Sequence, residues 1–398
     1  MIFSFTACGD KNSTSVKKTP TTQSENSSSQ SSLENSEETE VKFEKVGNNP
    51  NNLYQSKHTP AFDDNYIYFS TDDGIARLDY QGKNMQIISK NTGIHMNCID
   101  GYLYYAYKEG INCLNTENFS EENIVNITDD EGILEVLIYD GYMLYVVENK
   151  TNNQCFSYAY DLANKKTVLL KTTMANDYNS DIFFSVSGDK IYCFDYSNKR
   201  AENSGGVLLL EFTFDNMQKA SDNADLYDSA QMISTSRAKP ESWMLTPSGL
   251  YEFSSSQNPD GSIITNNMYI YNYESIKFEN NEWSSNTSST HNNEGGHRYL
   301  GLATSYLLGD NIFIFDTRYT ADEMDKEAEI YYYEKGDLST EKLIGELPIM
   351  RFMVSMSRGI CGTYNDNMYI ILRPDDTTNV YSLVTVSKDG SIQTVDCN

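Results

Sequence analysis

The sequence predicts an all-β fold, a β-propeller of four-stranded antiparallel blades, on three observations. A turn followed by a short aromatic alternation recurs seven times. Apolar and aromatic residues alternate with period two between Gly, Asn and Asp turns. No window keeps apolar residues at i, i+3, i+4 and i+7 for more than two helical turns.

The recurring units begin at Asp64-Asn65-Tyr66-Ile67-Tyr68-Phe69, Asp100-Gly101-Tyr102-Leu103-Tyr104-Tyr105 and Asp140-Gly141-Tyr142-Met143-Leu144-Tyr145. They continue at Lys190-Ile191-Tyr192, Gly249-Leu250-Tyr251, Asn311-Ile312-Phe313 and Asn367-Met368-Tyr369. Aligned on Tyr68, Tyr104, Leu144, Tyr192, Tyr251, Phe313 and Tyr369, the steps are 36, 40, 48, 59, 62 and 56 residues. The shortest step is the length of a four-stranded blade. The count favours seven blades, with six as the alternative. Within the second unit, strands are expected over Ile94–Asp100, Tyr102–Tyr107, Ile111–Leu114 and Ile124–Ile127. Stacked blades bury both faces of every sheet, which accounts for aromatics on both sides of the alternation and assigns most of the 30 Tyr to packing.

Fifty-seven acidic against 30 basic residues give a net charge of -27. That argues against nucleic acid, whose phosphates need clustered Lys and Arg. No basic amphipathic face for anionic lipid and no run of about 18 apolar residues is present.

The first residues are apolar, then small, then Cys8, and residues 10 to 50 are Ser, Thr, Asn, Gln, Lys and Glu with little to bury. This composition predicts a disordered tether over 9–50 and a propeller over 51–398. Phe5-Thr6-Ala7-Cys8 resembles the lipobox of bacterial lipoproteins, where Leu-(Ala/Ser)-(Gly/Ala)-Cys is usual. The resemblance implies acylation of Cys8, a lipid anchor as the sole membrane contact and an extracytoplasmic location. Only seven residues precede Cys8, so the signal is read as truncated, with a start codon further upstream.

Tyr66-Ile67-Tyr68-Phe69-Ser70-Thr71-Asp72, Gly74-Ile75-Ala76-Arg77-Leu78-Asp79 and Gly82-Lys83-Asn84-Met85-Gln86-Ile87-Ile88 resemble a YWTD blade of low-density-lipoprotein-receptor propellers. They are closer still to the bacterial domain of unknown function 5050. The resemblance implies the fold and a receptor-like, lipid-anchored character, and no agreed activity. Eukaryotic members carry six blades and a Trp in the motif, whereas this chain has Phe or Tyr there.

Added residues concentrate in the later units. Insertions between second and third strands are read at Glu148–Gln154, Asp195–Gly206, Ser254–Asn267, Asp316–Glu329 and Arg373–Asn379. Insertions between blades are read at Ser221–Glu241 and Glu282–Arg298. In an up-and-down blade both kinds emerge at the same end, which makes that end the expected binding face. Trp243 and Trp283, with Arg200, Arg237, Lys239, Arg298 and Arg318, are the candidate binding residues there, suited to an anionic or aromatic ligand. The competing reading is that each Trp anchors its loop to a blade.

His58, His95 and Glu135 fall near the expected axis and offer nitrogen and oxygen donors, but their spacing matches no metal motif. Asp72-Asp73, Asp129-Asp130 and Asp375-Asp376 read as solvated turns, and Thr320–Glu329 as a short acidic surface helix. There is no Gly-x-Ser-x-Gly, phosphate loop or His-Glu-x-x-His, so no catalytic residue, metal or cofactor is assigned. Cys98, Cys113, Cys155, Cys193, Cys361 and Cys397 read as buried thiols, with Cys397 placed to staple the last blade. The expectation is a monomeric, non-catalytic propeller binding an extracellular protein or glycan. An envelope hydrolase or lyase with loop-borne carboxylates, and a structural scaffold, are the alternatives.

Overall fold

The computed structural model describes residues 59–108, 110–139, 141–152, 154–174, 182–187, 190–195, 207–213, 231–236, 243–246, 249–257, 263–271, 277–279, 282–284, 305–308, 311–316, 328–334, 340–347, 361–372 and 380–397. Among them seven antiparallel meander sheets follow one another along the chain, six of four strands and one of three. Sheet 1 is β1 to β4 (Ala61–Phe62, Tyr66–Thr71, Gly74–Asp79, Gln86–Ser89), and sheet 2 is β5 to β8 (Ile94–Ile99, Tyr102–Tyr107, Gly110–Asn115, Glu121–Asn126). Sheet 3 is β9 to β12 (Glu131–Tyr139, Tyr142–Asn149, Gln154–Asp161, Lys166–Met174), and sheet 4 is β13 to β16 (Ile182–Ser187, Lys190–Asp195, Val207–Thr213, Gln231–Ser236). Sheet 5 is β17 to β19 (Trp243–Thr246, Gly249–Gln257, Ile263–Tyr271), followed by the hairpin β20–β21 (Lys277–Glu279, Glu282–Ser284). Sheet 6 is β22 to β25 (Ser305–Leu308, Asn311–Asp316, Ala328–Tyr333, Lys342–Leu347), and sheet 7 is β26 to β29 (Cys361–Tyr364, Asn367–Leu372, Ser382–Ser387, Ile392–Asp396).

The first strands β1, β5, β9, β13 and β17 lie beside one another in turn. Successive sheets share apolar cores. Ala61, Tyr68, Ile75 and Ile88 of sheet 1 pack with Met96, Leu103, Tyr105 and Leu114 of sheet 2. Ile99, Ala106 and Ile111 pack with Val136, Ile138 and Met143 of sheet 3. Tyr306, Phe313 and Ile330 of sheet 6 pack with Met368, Ile370 and Val384 of sheet 7. Each fully buried aliphatic or aromatic side chain contributes roughly 1.5–3 kcal/mol, so inter-sheet packing, not the individual sheet, holds the fold.

The last sheet returns to the first. Phe62, Ile67, Phe69, Ala76 and Leu78 share a core with Tyr369, Ile371, Tyr381 and Leu383. The Tyr364 ring lies between two others, 5.6 Å from Phe62 and 6.1 Å from Tyr80, each at an interplanar angle of 5°. Its hydroxyl donates to Asp64 Oδ1 at 2.9 Å. Gly362 makes this approach possible, since a Cβ there would lie 2.8 Å from Phe62 Cε2. The ring of a β-propeller is therefore closed by side chains. No strand crosses the seam, because all four strands of sheet 7 come from the carboxy-terminal stretch and all four of sheet 1 from the first.

Two devices recur from sheet to sheet. The first is an outer-strand bulge. Register shifts between third and fourth strands at Ile75/Ala76, Ile111/Asn112, Ser157/Tyr158, Leu209/Leu210 and Ile330/Tyr331 leave Ile88, Ile124, Leu170, Ile233 and Ile344 as the extra residue. Ile88 and Leu170 are buried, and Ile124 and Ile344 pack against inter-sheet cores. A bulge sharpens the local twist and turns the outer strand away from a flat edge. The second device is a paired turn. Thr116 N–H donates to Gly101 O at 2.9 Å, Leu162 N–H to Gly141 O at 2.9 Å and Lys388 N–H to Asp366 O at 3.2 Å. In sheets 2, 3 and 7 this ties the third-to-fourth-strand turn to the first-to-second-strand turn.

The second-unit strands begin and end as read to within a few residues, except that the outermost starts at Glu121. Three loop expectations are corrected. Ser221–Glu241 is not an inter-blade loop, because it contains β16, whose backbone pairs with β15. Ser254–Asn267 is mostly strand, with Ser254 opposite Asn267 and Ser256 opposite Thr265, so the connector shrinks to 258–262. Glu329, read as the end of a helix, lies in β24 between Asp316 and Glu346; 320–327 lie outside the described residues.

Candidate functional site

The two ends of the ring differ in how chain is spent on them. At the end bearing first-to-second and third-to-fourth turns, short polar side chains cap the backbone. Asp63 Oδ1 accepts the Asn65 and Tyr66 N–H groups at 2.7 and 2.8 Å, and Asn115 Oδ1 accepts those of Glu117 and Asn118, both at 3.0 Å. Asp161 Oδ1 likewise accepts Ala163 and Asn164 at 3.0 and 2.9 Å. Asp100-Gly101 and Asn365-Asp366 adopt positive φ at both positions, as two-residue hairpin turns require.

The opposite end carries the second-to-third and sheet-to-sheet connectors. The strand ends set these at 196–206, 317–327 and 373–381, and at 348–360. All four leave from one end because strand direction alternates within every meander and each sheet starts afresh at its first strand; 285–304 follows the hairpin β20–β21, which lies outside the meanders. One long connector breaks the asymmetry, since 214–230 joins β15 to β16 and so leaves from the plain end. The elaborated end is the candidate site, and sheets 4, 6 and 7 contribute most of it.

Trp243 opens β17, its backbone opposite Glu252, immediately after the sheet 4 to sheet 5 connector. Trp283 sits in β21 opposite Phe278, beside connector 285–304. Both belong to strands flanking the connectors. Arg200, Arg237, Lys239, Arg298 and Arg318 lie outside the described residues, as do His58, Cys8 and the Asp375-Asp376 pair.

The two axial candidates that are described have structural surroundings. His95 occupies a bulge of β5 at φ 52 and is buried. Glu135 pairs with Val146 beside the bulge of β9 at Leu134, and its Oε2 accepts the Phe184 N–H of β13 at 3.1 Å. Asn97 Nδ2 donates to Val136 O at 3.0 Å, and Ser70 Oγ donates to Gly93 O. Side chains of one sheet thus satisfy backbone groups of the next from sheet 1 to sheet 4. No group of three His, Cys, Asp or Glu able to hold a metal ion occurs among the described residues. Glu135→Ala leaves the buried Phe184 N–H without this acceptor and is expected to cost about 1–3 kcal/mol by urea unfolding, with Glu135→Gln costing less.

Arg77 is a residue the sequence reading missed. Its guanidinium lies 4.5 Å from the Tyr66 ring centroid and 4.7 Å from that of Phe119, and donates to Thr116 O at 3.2 Å and Gln86 Oε1 at 2.9 Å. It rivets sheet 1 to the turn of sheet 2 at the plain end. Cys98, Cys113, Cys155, Cys361 and Cys397 form no disulfide, and the first four are buried. Burial pushes Cys113 and Cys397 up to about 11, which keeps both as poor nucleophiles at neutral pH.

No known protein family and no curated protein matches the chain. Among solved structures, the β-propeller domain of the trilobed protease from Pyrococcus furiosus, described as having an open velcro topology, is 10% identical with a TM-score of 0.40, covering 86% of this chain and 85% of that one. A chain of the nidogen/laminin complex is 11% identical with a TM-score of 0.35, over 74% and 92%. A prolyl endopeptidase is 10% identical with a TM-score of 0.39, and although 87% of this chain is covered, it spans only 43% of that enzyme. The assignment as a β-propeller rests on the sheet order and the closed seam described above.

Proposed function

We propose that this chain is a cell-envelope lipoprotein, acylated at Cys8, whose propeller binds an extracellular protein or glycan through the connector-bearing end without performing chemistry. The observation that carries the reading is the division of the ring into an end where short capped turns bond to one another, with 214–230 as its long exception, and an end from which connectors 196–206, 317–327, 348–360 and 373–381 leave. Long connectors on a rigid scaffold are where binding residues concentrate, because they can vary without disturbing the core. The lipobox-like Phe5-Thr6-Ala7-Cys8 and the polar stretch that follows support an anchored domain held clear of the surface.

The test compares the full chain with a variant whose 317–327 and 348–360 connectors are replaced by short turns, each used to capture partners from envelope extract and then titrated with whatever is retained. Saturable binding lost in the variant is expected. Equal binding by both overturns the assignment of the face, and turnover of a glycan or peptide by the intact chain overturns the non-catalytic reading. Cys8→Ser is expected to release the chain from the membrane fraction; unchanged membrane retention overturns the anchor.

A further inference from the structure

Of the six four-stranded sheets, five have a bulged fourth strand, and sheet 7 does not. β29 pairs with β28 from Ser382 opposite Asp396 to Val386 opposite Ile392 without a shift. It is the last strand of its sheet, with no strand beyond it among the described residues.

The direction of its backbone groups follows from two flanking hydrogen bonds. Cys397 N–H donates to Tyr381 O at 2.8 Å, and Ser387 N–H donates to Ser391 O at 2.9 Å. These fix 381/397 and 387/391 as hydrogen-bonded pairs, and the alternation of an antiparallel ladder puts Leu383/Val395 and Thr385/Gln393 in the same set. Ile392, Thr394 and Asp396 therefore turn their N–H and C=O groups away from β28.

This edge is held in place from both sides. Ile392 packs so closely on β25 that a Cβ at Gly345 would lie 2.4 Å from its Cδ1, and Val395 packs on the sheet 1 turn, 3.1 Å from where a Cβ of Gly82 would be. A regularly paired, pre-ordered strand edge whose outward donors and acceptors meet no further strand among the described residues is what an added strand needs. Lysine and proline, the usual guards of such an edge, are absent from Ile-Gln-Thr-Val-Asp. Its charged group is Asp396, and Asp389 stands exposed in the adjoining turn. The neighbouring Lys388 is engaged at 2.6 Å by Asp366.

We propose that the outer edge of β29 is a strand-addition site for an extended, lysine-bearing segment of a partner protein, paired through Ile392, Thr394 and Asp396. Charge selects this occupant. A second copy would bring Asp396 against the same edge on a molecule that also carries -27, whereas a basic segment meets Asp389 and Asp396 favourably. The site is separate from the connector-bearing end and stands whether or not that end binds.

The probe is a fluorescein-labelled heptapeptide of alternating Lys and Val, titrated with the full chain by anisotropy beside an alternating Glu and Val control. Saturable binding of the basic peptide, weakened by salt, is expected. Thr394→Pro deletes an outward donor without touching the β28–β29 ladder, so it is expected to weaken binding at least tenfold with the thermal midpoint little changed. Amide exchange on the unmodified protein supplies the same test without a variant: the peptide is expected to slow exchange at Ile392, Thr394 and Asp396 and leave Gln393 and Val395 unchanged. No binding, equal binding of the acidic peptide, equal binding by Thr394→Pro or absence of protection at the three amides overturns the proposal. So does a concentration-dependent dimer abolished by Thr394→Pro, which would assign the edge to a second copy.

Discussion

Phe62→Ala is expected to cost about 3–5 kcal/mol of folding stability by urea unfolding. Phe62 is 1% exposed, yet it sits on a two-residue strand at the very start of the ring, where its own sheet could not bury it. Its cover comes from the other end of the chain, from Tyr364 at 5.6 Å and Tyr369 at 5.6 Å. Tyr364→Ala is expected to cost less, since that ring is only half-buried, but the double variant should fall short of the sum by about 0.5–1.5 kcal/mol, the coupling of a stacked pair. In a ring open at this seam Phe62 would be solvated, and its replacement would cost no more than about 0.5 kcal/mol.

Gly110→Ala is expected to cost about 3 kcal/mol or more, while Gly141→Ala costs about 1. Both glycines have positive φ, 135° and 80°. They differ in what surrounds them. A Cβ on Gly110 would lie 1.7 Å from Val125 O, so β7 and β8 would have to part, whereas one on Gly141 meets nothing within 4 Å. Gly74 repeats the crowded case in sheet 1, with φ 131° and Ser89 O at 2.0 Å. These glycines open the third strand where the bulged fourth strand turns inward, so the backbone approach is part of the blade design. Equal thermal shifts for the two variants would show that φ alone decides the cost and that the close approach is incidental.

Much of this fold could be read from residue order. Asp100-Gly101 and Asn365-Asp366 announce hairpin turns, and the aromatic alternation beside them locates the second strand of each sheet, because both are local consequences of backbone geometry. What escaped notice is not local in that sense. The outer bulges interrupt period two by one residue, so Ile88, Ile124 and Leu170 look like errors in an alternation when they are its recurring feature. β16, Gln-Met-Ile-Ser-Thr-Ser, and the Ser-Ser-Ser-Gln end of β18 are polar enough to pass for loop, and their strand character comes from pairing with β15 and β19. Arg77 carries no motif, and its two rings lie 11 residues before it and 42 after it in sequence. For the candidate site, the sequence located the connector-bearing end, since loop length and strand alternation suffice for that. It missed connector 214–230 on the other end, and it noted Glu135 only as an oxygen donor near the axis, without the backbone amide that it accepts.

The closure of the ring between the first and last sheets is the claim on which the architecture turns, and a photocrosslink tests it most directly. With p-benzoylphenylalanine in place of Tyr364, at the rim of the seam and within hydrogen-bonding reach of Asp64, irradiation of dilute protein is expected to join position 364 to the peptide spanning Phe62 to Tyr80 within the same molecule, as read by mass spectrometry. A crosslink confined to sheet 6 or to sheet 7 itself, with none to sheet 1, would contradict the closed ring.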